Sequence, residues 1–143
     1  MQKNQSKLTF VGGAGTVTGA NFLFETGKKR VLIDCGMLQG FTQRMNENYE
    51  DFPYNPSTID AVFVTHAHAD HIGRIPKLVR DGFRGTIYST SATRDLAEVM
   101  FADAVRILRD EAKKLGVPQM YEVQDIEQTL TLWQTRNYHE SFD

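Results

Sequence analysis

The chain has 143 residues, of which 41% are hydrophobic and 24% are charged, and its formal net charge is −2. These proportions are typical of a folded domain that buries one core, and they exclude a disordered or collagen-like chain. The slight negative charge argues against a protein that binds nucleic acid without sequence preference, because such proteins carry an excess of lysine and arginine. We therefore expect any phosphate chemistry here to depend on metal cations.

The cellular location is predicted from three features of the sequence. The segment Met1–Leu8 is polar, and no segment approaches the roughly 18 consecutive apolar residues of a membrane-spanning helix. Cys35 is the single cysteine, so it cannot form an internal disulfide, which is typical of a reducing compartment. We predict a cytoplasmic protein without a membrane segment, in which Cys35 is a small buried residue.

The beginning of the chain is predicted to be β structure. Leu8–Val11 is a short apolar run, and Asn21–Asp34 contains two apolar runs joined around Gly27, which predicts a strand followed by a hairpin. The glycine-rich segment Gly12–Gly19 lies between them. Its spacing does not match the G-x-G-x-x-G loop of dinucleotide-binding proteins, and it leads into a strand rather than a helix, so we do not expect it to bind a nucleotide.

The middle of the chain alternates between strand and helix patterns. Met37–Ser57 is polar and is predicted to cross the surface with one short helix inside it. Asp60–Thr65 has a continuous apolar centre, which predicts a strand buried on both faces of an α/β sheet. A helix is expected from Pro76 to Gly82, because proline suits the first helical turn and glycine suits the end. Gly85–Thr90 is the next predicted strand.

Two helices complete the predicted elements. The longer one is capped by Thr90 or Ser91, repeats apolar residues at helical spacing from Leu96 onward, and ends near Gly116. The shorter one is predicted over Val123–Trp133, where apolar residues share a face. The resulting order is β, β, β, β, α, β, α, α, which indicates a mixed α/β fold.

The segment THAHADHIG places three of the four histidines and one aspartate between His66 and His71. It directly follows the predicted strand DAVFVT, and open α/β sheets bind ligands at the carboxyl ends of their strands. Side chains alternate along extended backbone, so we expect His66 and His68 to point the same way and hold one metal ion. Asp70 and His71 fall where the chain turns into a helix, and we expect them to hold a second ion about 3.5–4 Å away.

The types of ligand in this segment favour zinc, which prefers imidazole nitrogen and carboxylate oxygen, although manganese and iron also fit. Water between two such cations loses a proton near neutral pH and becomes a nucleophile. The alternative interpretation is a surface loop that contains histidines by chance. Four ligand-type residues within six positions, directly after a core strand, argue against it and predict a hydrolytic metal site.

The pattern H-x-H-x-D-H at His66–His71 resembles the signature of the metallo-β-lactamase fold, and LIDCG at Leu32–Gly36 resembles the strand-ending aspartate motif that precedes it there. Two longer stretches, GGAGTVTGANFLFETGKKRVLIDCGMLQG and HAHADHIGRIPKLVRDGFRGTIYSTSATRDLAEVMFADA, are similar to the amino-terminal part of one branch of that fold. This is the β-CASP branch, the RNA-processing nucleases related to the cleavage and polyadenylation endonuclease subunit. The resemblance extends over almost the entire chain.

The resemblance implies the first half of an αββα sandwich, with a mixed sheet and helices packed on it. It also implies hydrolysis of RNA phosphodiester bonds at two zinc ions, with a metal-bound hydroxide attacking phosphorus. Two aspartates are candidate catalytic residues. Asp70 would bind the second metal and orient or deprotonate the water, and Asp34 would hold a metal-binding histidine or its loop. An aspartate that only caps a turn at the strand end is the alternative for Asp34.

Residues 1–143 depart from the family pattern in their ligand set. Family members add a later histidine, a bridging aspartate and a final histidine, whereas His139 lies in a polar stretch and is expected to be an exposed terminal residue. We therefore expect a partial metallo-β-lactamase domain, without the inserted β-CASP domain and the carboxyl-terminal half, that is weak or inactive alone. Its uncovered sheet is expected to pair with a second copy or a companion chain.

Two other functions remain open at this point. The first is a metallo-β-lactamase-fold hydrolase of a small thioester or lactone. The second is a non-catalytic module that binds metal or a partner subunit through its sheet. Two tightly bound ions per chain would indicate a finished site, whereas weak or single occupancy together with self-association would indicate the module.

Overall fold

The structure is a computed structural model that describes residues 5–40 and 44–143. Among these residues, six strands form one sheet: β1 Ser6–Gly12, β2 Asn21–Thr26, β3 Lys29–Ile33, β4 Ala61–Phe63, β5 Thr86–Ser89 and β6 Trp133–Thr135. Four α-helices are described there as well: α1 Ala69–Ile72, α2 Ile75–Arg80, α3 Ser91–Leu115 and α4 Val123–Thr131. The spatial order of the strands follows their order in the sequence.

The sheet is mixed, as the sequence predicts. Strands β1, β2 and β3 are antiparallel to one another, whereas β3, β4, β5 and β6 are parallel. Parallel neighbours need a crossover connection, and helices provide it between β4 and β5 and between β5 and β6. The carboxyl ends of four strands therefore lie along one edge of the sheet.

The predicted helix over Val123–Trp133 is wrong at its carboxyl end. Helix α4 ends at Thr131, and Trp133 begins β6, where it pairs with Ile87 of β5. The indole Nε1 of Trp133 donates a hydrogen bond to Ser89 Oγ at 2.8 Å, which satisfies this buried polar group. A strand of three residues is too short for its alternation to be distinguished from the last turn of a helix.

The other predicted elements need smaller adjustments. The polar segment 37–57 contains two 3-10 helices, Met45–Asn48 and Pro56–Thr58, and positions 41–43 of that segment lie outside the described residues. Thr90, one of the two predicted caps, caps α3 through its side chain, and Gly116 ends the helix where the sequence predicts it, in the left-handed conformation. Within residues 5–40 and 44–143, no helix combines the length and apolar character needed to cross a membrane.

One face of the sheet is covered by the helices. Leu32, Val62 and Ile87, at the centre of three neighbouring strands, are fully buried and belong to one core cluster with Leu78 of α2 and Phe101 of α3. Each fully buried side chain of this kind stabilises the fold by about 1.5–3 kcal/mol. The strand ends that carry Asp34 and Thr65 therefore emerge from the best-packed part of the molecule.

The opposite face of the sheet is apolar but not covered by a helix. The strand register aligns Phe10, Phe22, Ile33, Phe63 and Tyr88 in one row across five strands, which we call the open face. Phe10 is 60% exposed and Phe63 is 37% exposed. The rings of Phe63 and Tyr88 stack at 5.4 Å, yet much of the row remains accessible to solvent. A row of this kind is typical of a surface that packs against another segment or chain.

Candidate metal centre

The candidate site lies where the parallel strands β3 and β4 end side by side. Ile33 and Phe63 are paired across these strands, and the Asp34 backbone N–H donates to the Phe63 carbonyl at 2.9 Å. Asp34 thus directly follows one strand, and Thr65 follows the neighbouring strand two residues after its end. The parallel register brings two parts of the chain together that are about thirty residues apart in sequence.

The three histidine rings of the segment converge on one surface. The ring centroids of His66 and His68 are 4.7 Å apart, and those of His66 and His71 are 4.0 Å apart. The Asp70 carboxylate joins them, since its Oδ2 lies 3.5 Å from Nε2 of His71. The structure therefore brings together all four residues that the sequence predicts as metal ligands. His66 and His68 are exposed, so this surface is accessible from solvent.

Asp34 is a buried carboxylate that connects the loop to the histidines. It is 1% exposed, and its Oδ1 accepts a hydrogen bond from the Thr65 backbone N–H at 2.8 Å. Its Oδ2 accepts from Thr65 Oγ1 at 2.7 Å and lies 2.8 Å from Nδ1 of His71. An ionised carboxylate only accepts hydrogen bonds, so a neutral His71 ring that bonds to Asp34 carries its hydrogen on Nδ1 and turns Nε2 towards Asp70.

The backbone of Asp34 is itself unusual, because its φ is +60°, in the left-handed region. A residue with a side chain loses about 1–2 kcal/mol in this conformation, although aspartate tolerates it better than most residues do. The three hydrogen bonds of the carboxylate offset that cost. The structure thus places Asp34 where the sequence predicts it, against a candidate metal ligand and its loop. Its part in catalysis stays a prediction.

Main-chain hydrogen bonds hold the histidine loop against the segment that follows β3 and against the residue directly before β2. The Cys35 N–H donates to the His71 carbonyl at 2.8 Å, and the Ala20 N–H donates to the Asp70 carbonyl at 2.8 Å. Gly36 lies so close that a Cβ on it would be 1.7 Å from the Asp70 carbonyl oxygen. The sequence analysis did not identify Gly36 as a site residue; its place directly after the strand-ending aspartate and Cys35 was the available signal.

The donors present fit zinc on one geometric criterion. Two ligand atoms, each about 2.0–2.1 Å from a tetrahedral zinc ion, lie about 3.3 Å apart. The 3.5 Å separation between His71 Nε2 and Asp70 Oδ2 is close to this value. Within residues 5–40 and 44–143, no group of three or more His, Cys, Asp or Glu side chains is arranged to hold a single ion. Among the described residues, His71 and Asp70 thus form one pair at ligand spacing rather than a complete set.

Cys35 is a buried residue beneath the histidine loop, and it is not one of the predicted ligands. It is fully buried, and burial raises the pKa of its thiol from 9.0 to about 12. Asn21 Nδ2 lies 3.7 Å from its sulfur and donates to the Tyr54 hydroxyl at 2.9 Å. The burial of Cys35 confirms the prediction of a small buried residue, and its raised pKa favours a protonated thiol. That Cys35 is not a thiolate ligand stays a prediction.

His139 lies outside this cluster. It is exposed, in the turn after β6, with φ of +62°. In the part of the chain that the structure describes, no hydrogen bond or ring contact joins His139 to the other three histidines.

Thr65 is the second site residue, after Gly36, that the sequence analysis missed. Its position directly before His66 was the available signal.

Comparison with known proteins assigns the chain to a family. The family model described as "Metallo-beta-lactamase superfamily" matches residues 14–119. Together with the mixed sheet and the histidine loop at its carboxyl edge, this match defines the class: the chain belongs to the metallo-β-lactamase superfamily and has its fold. The fold class predicted from the sequence is confirmed.

Two curated relatives are similar to most of this chain. Ribonuclease TTHA0252 of Thermus thermophilus is 46% identical over 97 residues, which are 68% of this chain and 22% of the relative. Transcription termination factor FttA of Methanosarcina mazei is 36% identical over 129 residues, which are 88% of this chain and 20% of the relative. The chain thus spans about a fifth of the length of the curated relatives it matches. These matches confirm the resemblance found in the motifs, that of a metallo-β-lactamase fold of the RNA-processing branch.

Among solved structures, MEM-A1, a subclass B3 metallo-beta-lactamase isolated from a soil metagenome library, superposes with a TM-score of 0.45 at 18% sequence identity. The superposition covers 62% of this chain and 32% of that chain.

Proposed function

We propose that this chain is the metal-binding amino-terminal portion of a β-CASP-type hydrolase that cleaves phosphodiester bonds in RNA. The observation that carries the proposal is the convergence of three imidazole rings and the Asp70 carboxylate at the ends of β3 and β4. The relatives named ribonuclease and transcription termination factor support RNA as the substrate class. With a net charge of −2, the chain has no cationic excess of its own for phosphate, which fits a site that relies on metal cations.

Each residue of the site has a separate role in this proposal. His66 and His68 would hold one zinc ion, and Asp70 and His71 would hold the second. When bound, such a pair of ions lowers the pKa of water and stabilises the charge that develops on the attacked phosphate. Asp70 would also orient the attacking water or accept its proton. Asp34 holds His71 and the loop in place, which is the kind of support that fixes ligand geometry in metal sites.

We infer that the isolated chain is a weak nuclease or inactive. Each ion would have two protein ligands from the loop, whereas catalytic zinc normally has three. Residues 1–143 would then be a partial domain, and an inserted β-CASP domain and a carboxyl-terminal half would complete both the ligand set and the sandwich. A cytoplasmic location is part of the same proposal.

The open face would bind the segment that completes the sandwich, supplied by a companion chain or, at high concentration, by a second copy. Its exposed aromatic row supports this expectation. The variant Phe63→Glu should lower self-association in sedimentation velocity, because it places a charge in the middle of the row. Val17→Glu is the matched control, since Val17 is 93% exposed in the glycine-rich loop. Equal self-association of both variants would contradict this use of the face.

The test of the proposed function uses the purified 143-residue chain in excess over labelled single-stranded RNA, with zinc. Single-turnover conditions make slow cleavage measurable. We expect slow, zinc-dependent cleavage that is abolished in Asp70→Asn, which removes the charge of a ligand and its ability to accept a proton, and in His68→Ala, which removes a ligand. Lys114→Ala, on the exposed surface of α3, is the control and should cleave like the parent chain.

The alternatives give different results in the same assay. Hydrolysis of a thioester or lactone panel without cleavage of RNA would overturn the choice of substrate. Weak or single zinc occupancy together with self-association, and no hydrolysis under single-turnover conditions, would support the non-catalytic module. Turnover typical of a complete enzyme would contradict the inference that the ligand set is incomplete.

A further inference from the structure

The hydroxyl of Thr65 lies between the buried carboxylate and the first histidine of the loop. Its Oγ1 is 2.7 Å from Asp34 Oδ2 and 2.9 Å from Nδ1 of His66. We propose that Thr65 is a positioning residue that fixes His66 in the tautomer with its hydrogen on Nδ1, which leaves the Nε2 lone pair free for a cation. The role of this tautomer rests on the proposed metal centre. The tautomer itself can be measured in the metal-free chain.

The direction of the two hydrogen bonds follows from counting hydrogens. The Asp34 carboxylate has no hydrogen to give, so the Thr65 hydroxyl donates its only hydrogen to Asp34. If the hydroxyl donated to His66 instead, two oxygens with lone pairs would face each other at 2.7 Å without a hydrogen between them. The Thr65 oxygen can therefore only accept from His66, and the hydrogen of the neutral His66 ring must lie on Nδ1.

The same carboxylate oxygen orients a second ring. Asp34 Oδ2 accepts directly from Nδ1 of His71 at 2.8 Å and, through the Thr65 hydroxyl, is linked to Nδ1 of His66. His66 and His71 are the candidate ligands of different ions in the proposed pair. Asp34 Oδ2 would thus set the tautomers of both rings: that of His71 directly, and that of His66 through the Thr65 hydroxyl.

Thr65 is suited to this role because both of its polar groups bind the same aspartate. Its backbone N–H donates to Asp34 Oδ1 at 2.8 Å, so the position of the hydroxyl relative to the carboxylate is fixed at two points. Metal-binding histidines in proteins generally donate their second ring N–H to a partner that fixes the ring, and loss of such a partner weakens metal affinity about 10–100-fold. Thr65 would be that partner for His66.

The experiment measures tautomers in the metal-free 143-residue chain labelled with ¹⁵N-histidine, at a pH at which the rings are neutral. Multiple-bond ¹H–¹⁵N correlation spectra distinguish a hydrogen on Nδ1 from one on Nε2. We expect His66 and His71 both to carry it on Nδ1. In Thr65→Val, which has nearly the same shape but no hydroxyl, His66 should lose this preference and His71 should keep it. Thr65→Ser retains the hydroxyl and should restore the His66 signal.

Zinc affinity, measured by competition with a chromogenic chelator, gives the second readout. It should fall about tenfold in Thr65→Val and recover in Thr65→Ser. A parent chain with the His66 hydrogen on Nε2, or a Thr65→Val chain whose His66 stays on Nδ1, would overturn the proposal. So would weaker zinc binding with unchanged tautomers, which would indicate a merely structural threonine. If the chain hydrolyses a thioester or lactone but not RNA while the tautomer results hold, the proposed RNA substrate fails and this inference stands.

Discussion

The three candidate histidine ligands in the same six-residue segment are held very differently. His66 and His71 have one ring nitrogen oriented by Asp34, either through Thr65 or directly. His68 is exposed, and although it precedes α1 as the N-cap residue, its side chain makes no capping hydrogen bond. Oriented ligands lose little conformational freedom when a metal binds, whereas a free ring must be ordered at that moment. The segment thus combines preorganised donors with an adjustable one.

The largest effect on stability is expected at Gly36, which lies against the backbone of Asp70 and His71. In Gly36→Ala the new Cβ would meet the Asp70 carbonyl oxygen at 1.7 Å, and main chain cannot move away as a side chain can. The free energy of unfolding should fall by about 3 kcal/mol, measured by urea denaturation. Gly15→Ala is the comparison: Gly15 has a positive φ, which Gly36 does not, and no atom lies within 4 Å of its Cβ position. Its cost should be about 1 kcal/mol, and a loss in Gly36→Ala no larger than this would contradict the proposed clash with the Asp70 carbonyl.

Removal of Asp34 should affect both stability and metal binding. Asp34→Ala leaves the Thr65 N–H, the Thr65 hydroxyl and His71 Nδ1 without their acceptor. We expect a loss of about 2 kcal/mol in stability and a 10–100-fold loss in zinc affinity. The control is Asp60→Ala, because Asp60 also accepts hydrogen bonds at a strand end but is exposed. Its cost should stay below about 1 kcal/mol, and zinc affinity should not change.

Alanine variants of His71 and His68 should differ in stability, although both should bind zinc more weakly. His71→Ala removes a partner of the buried carboxylate and should cost about 1–2 kcal/mol in stability as well as weaken zinc binding. His68→Ala should weaken zinc binding while stability stays within about 0.5 kcal/mol of the parent. Thermal unfolding of the metal-free variants measures the first effect, and chelator competition measures the second. If both variants lost the same stability, the proposed difference in support would be wrong.

The smallest effect at neutral pH concerns Cys35. Its pKa is raised from 9.0 to about 12 by burial, so the folded state favours the protonated thiol. The stabilisation is fully present below pH 9 and is lost as the pH rises towards 12. Iodoacetamide at pH 8 should modify the unfolded chain readily and the folded chain hardly at all. In Cys35→Ala the decline of stability between these pH values should be smaller than in the parent, and an identical decline would contradict the assignment.

Much of the site could be predicted because its parts are short and local. The histidine spacing, the apolar strand before it and the aspartate at the end of an earlier strand are all visible in the sequence, and parallel strands bring such ends together. Thr65 and Gly36 were missed for the opposite reason. Their importance arises from contacts with residues more than thirty positions away, namely Asp34 and Asp70, and neither residue type indicates a metal site by itself.

The fold shows the same limit. Helix α3 was predictable because its cap, its apolar spacing and Gly116 all agree. Strand β6 was not, because three residues contain no measurable period and their pairing with β5 depends on tertiary packing. The open face was predicted only in general terms, since the alignment of its row depends on register across five strands, which the sequence does not specify.

The main-chain attachment of the histidine loop has a consequence for metal selectivity. The hydrogen bonds to the carbonyls of Asp70 and His71 involve backbone atoms alone, so they do not depend on which side chains these positions carry. Replacement of His68 by aspartate or cysteine would therefore change the hardness of the donor set without a new loop conformation. Harder oxygen donors favour manganese and softer sulfur donors favour zinc. If the loop binds metal as proposed, single substitutions on this scaffold would change which metal it prefers.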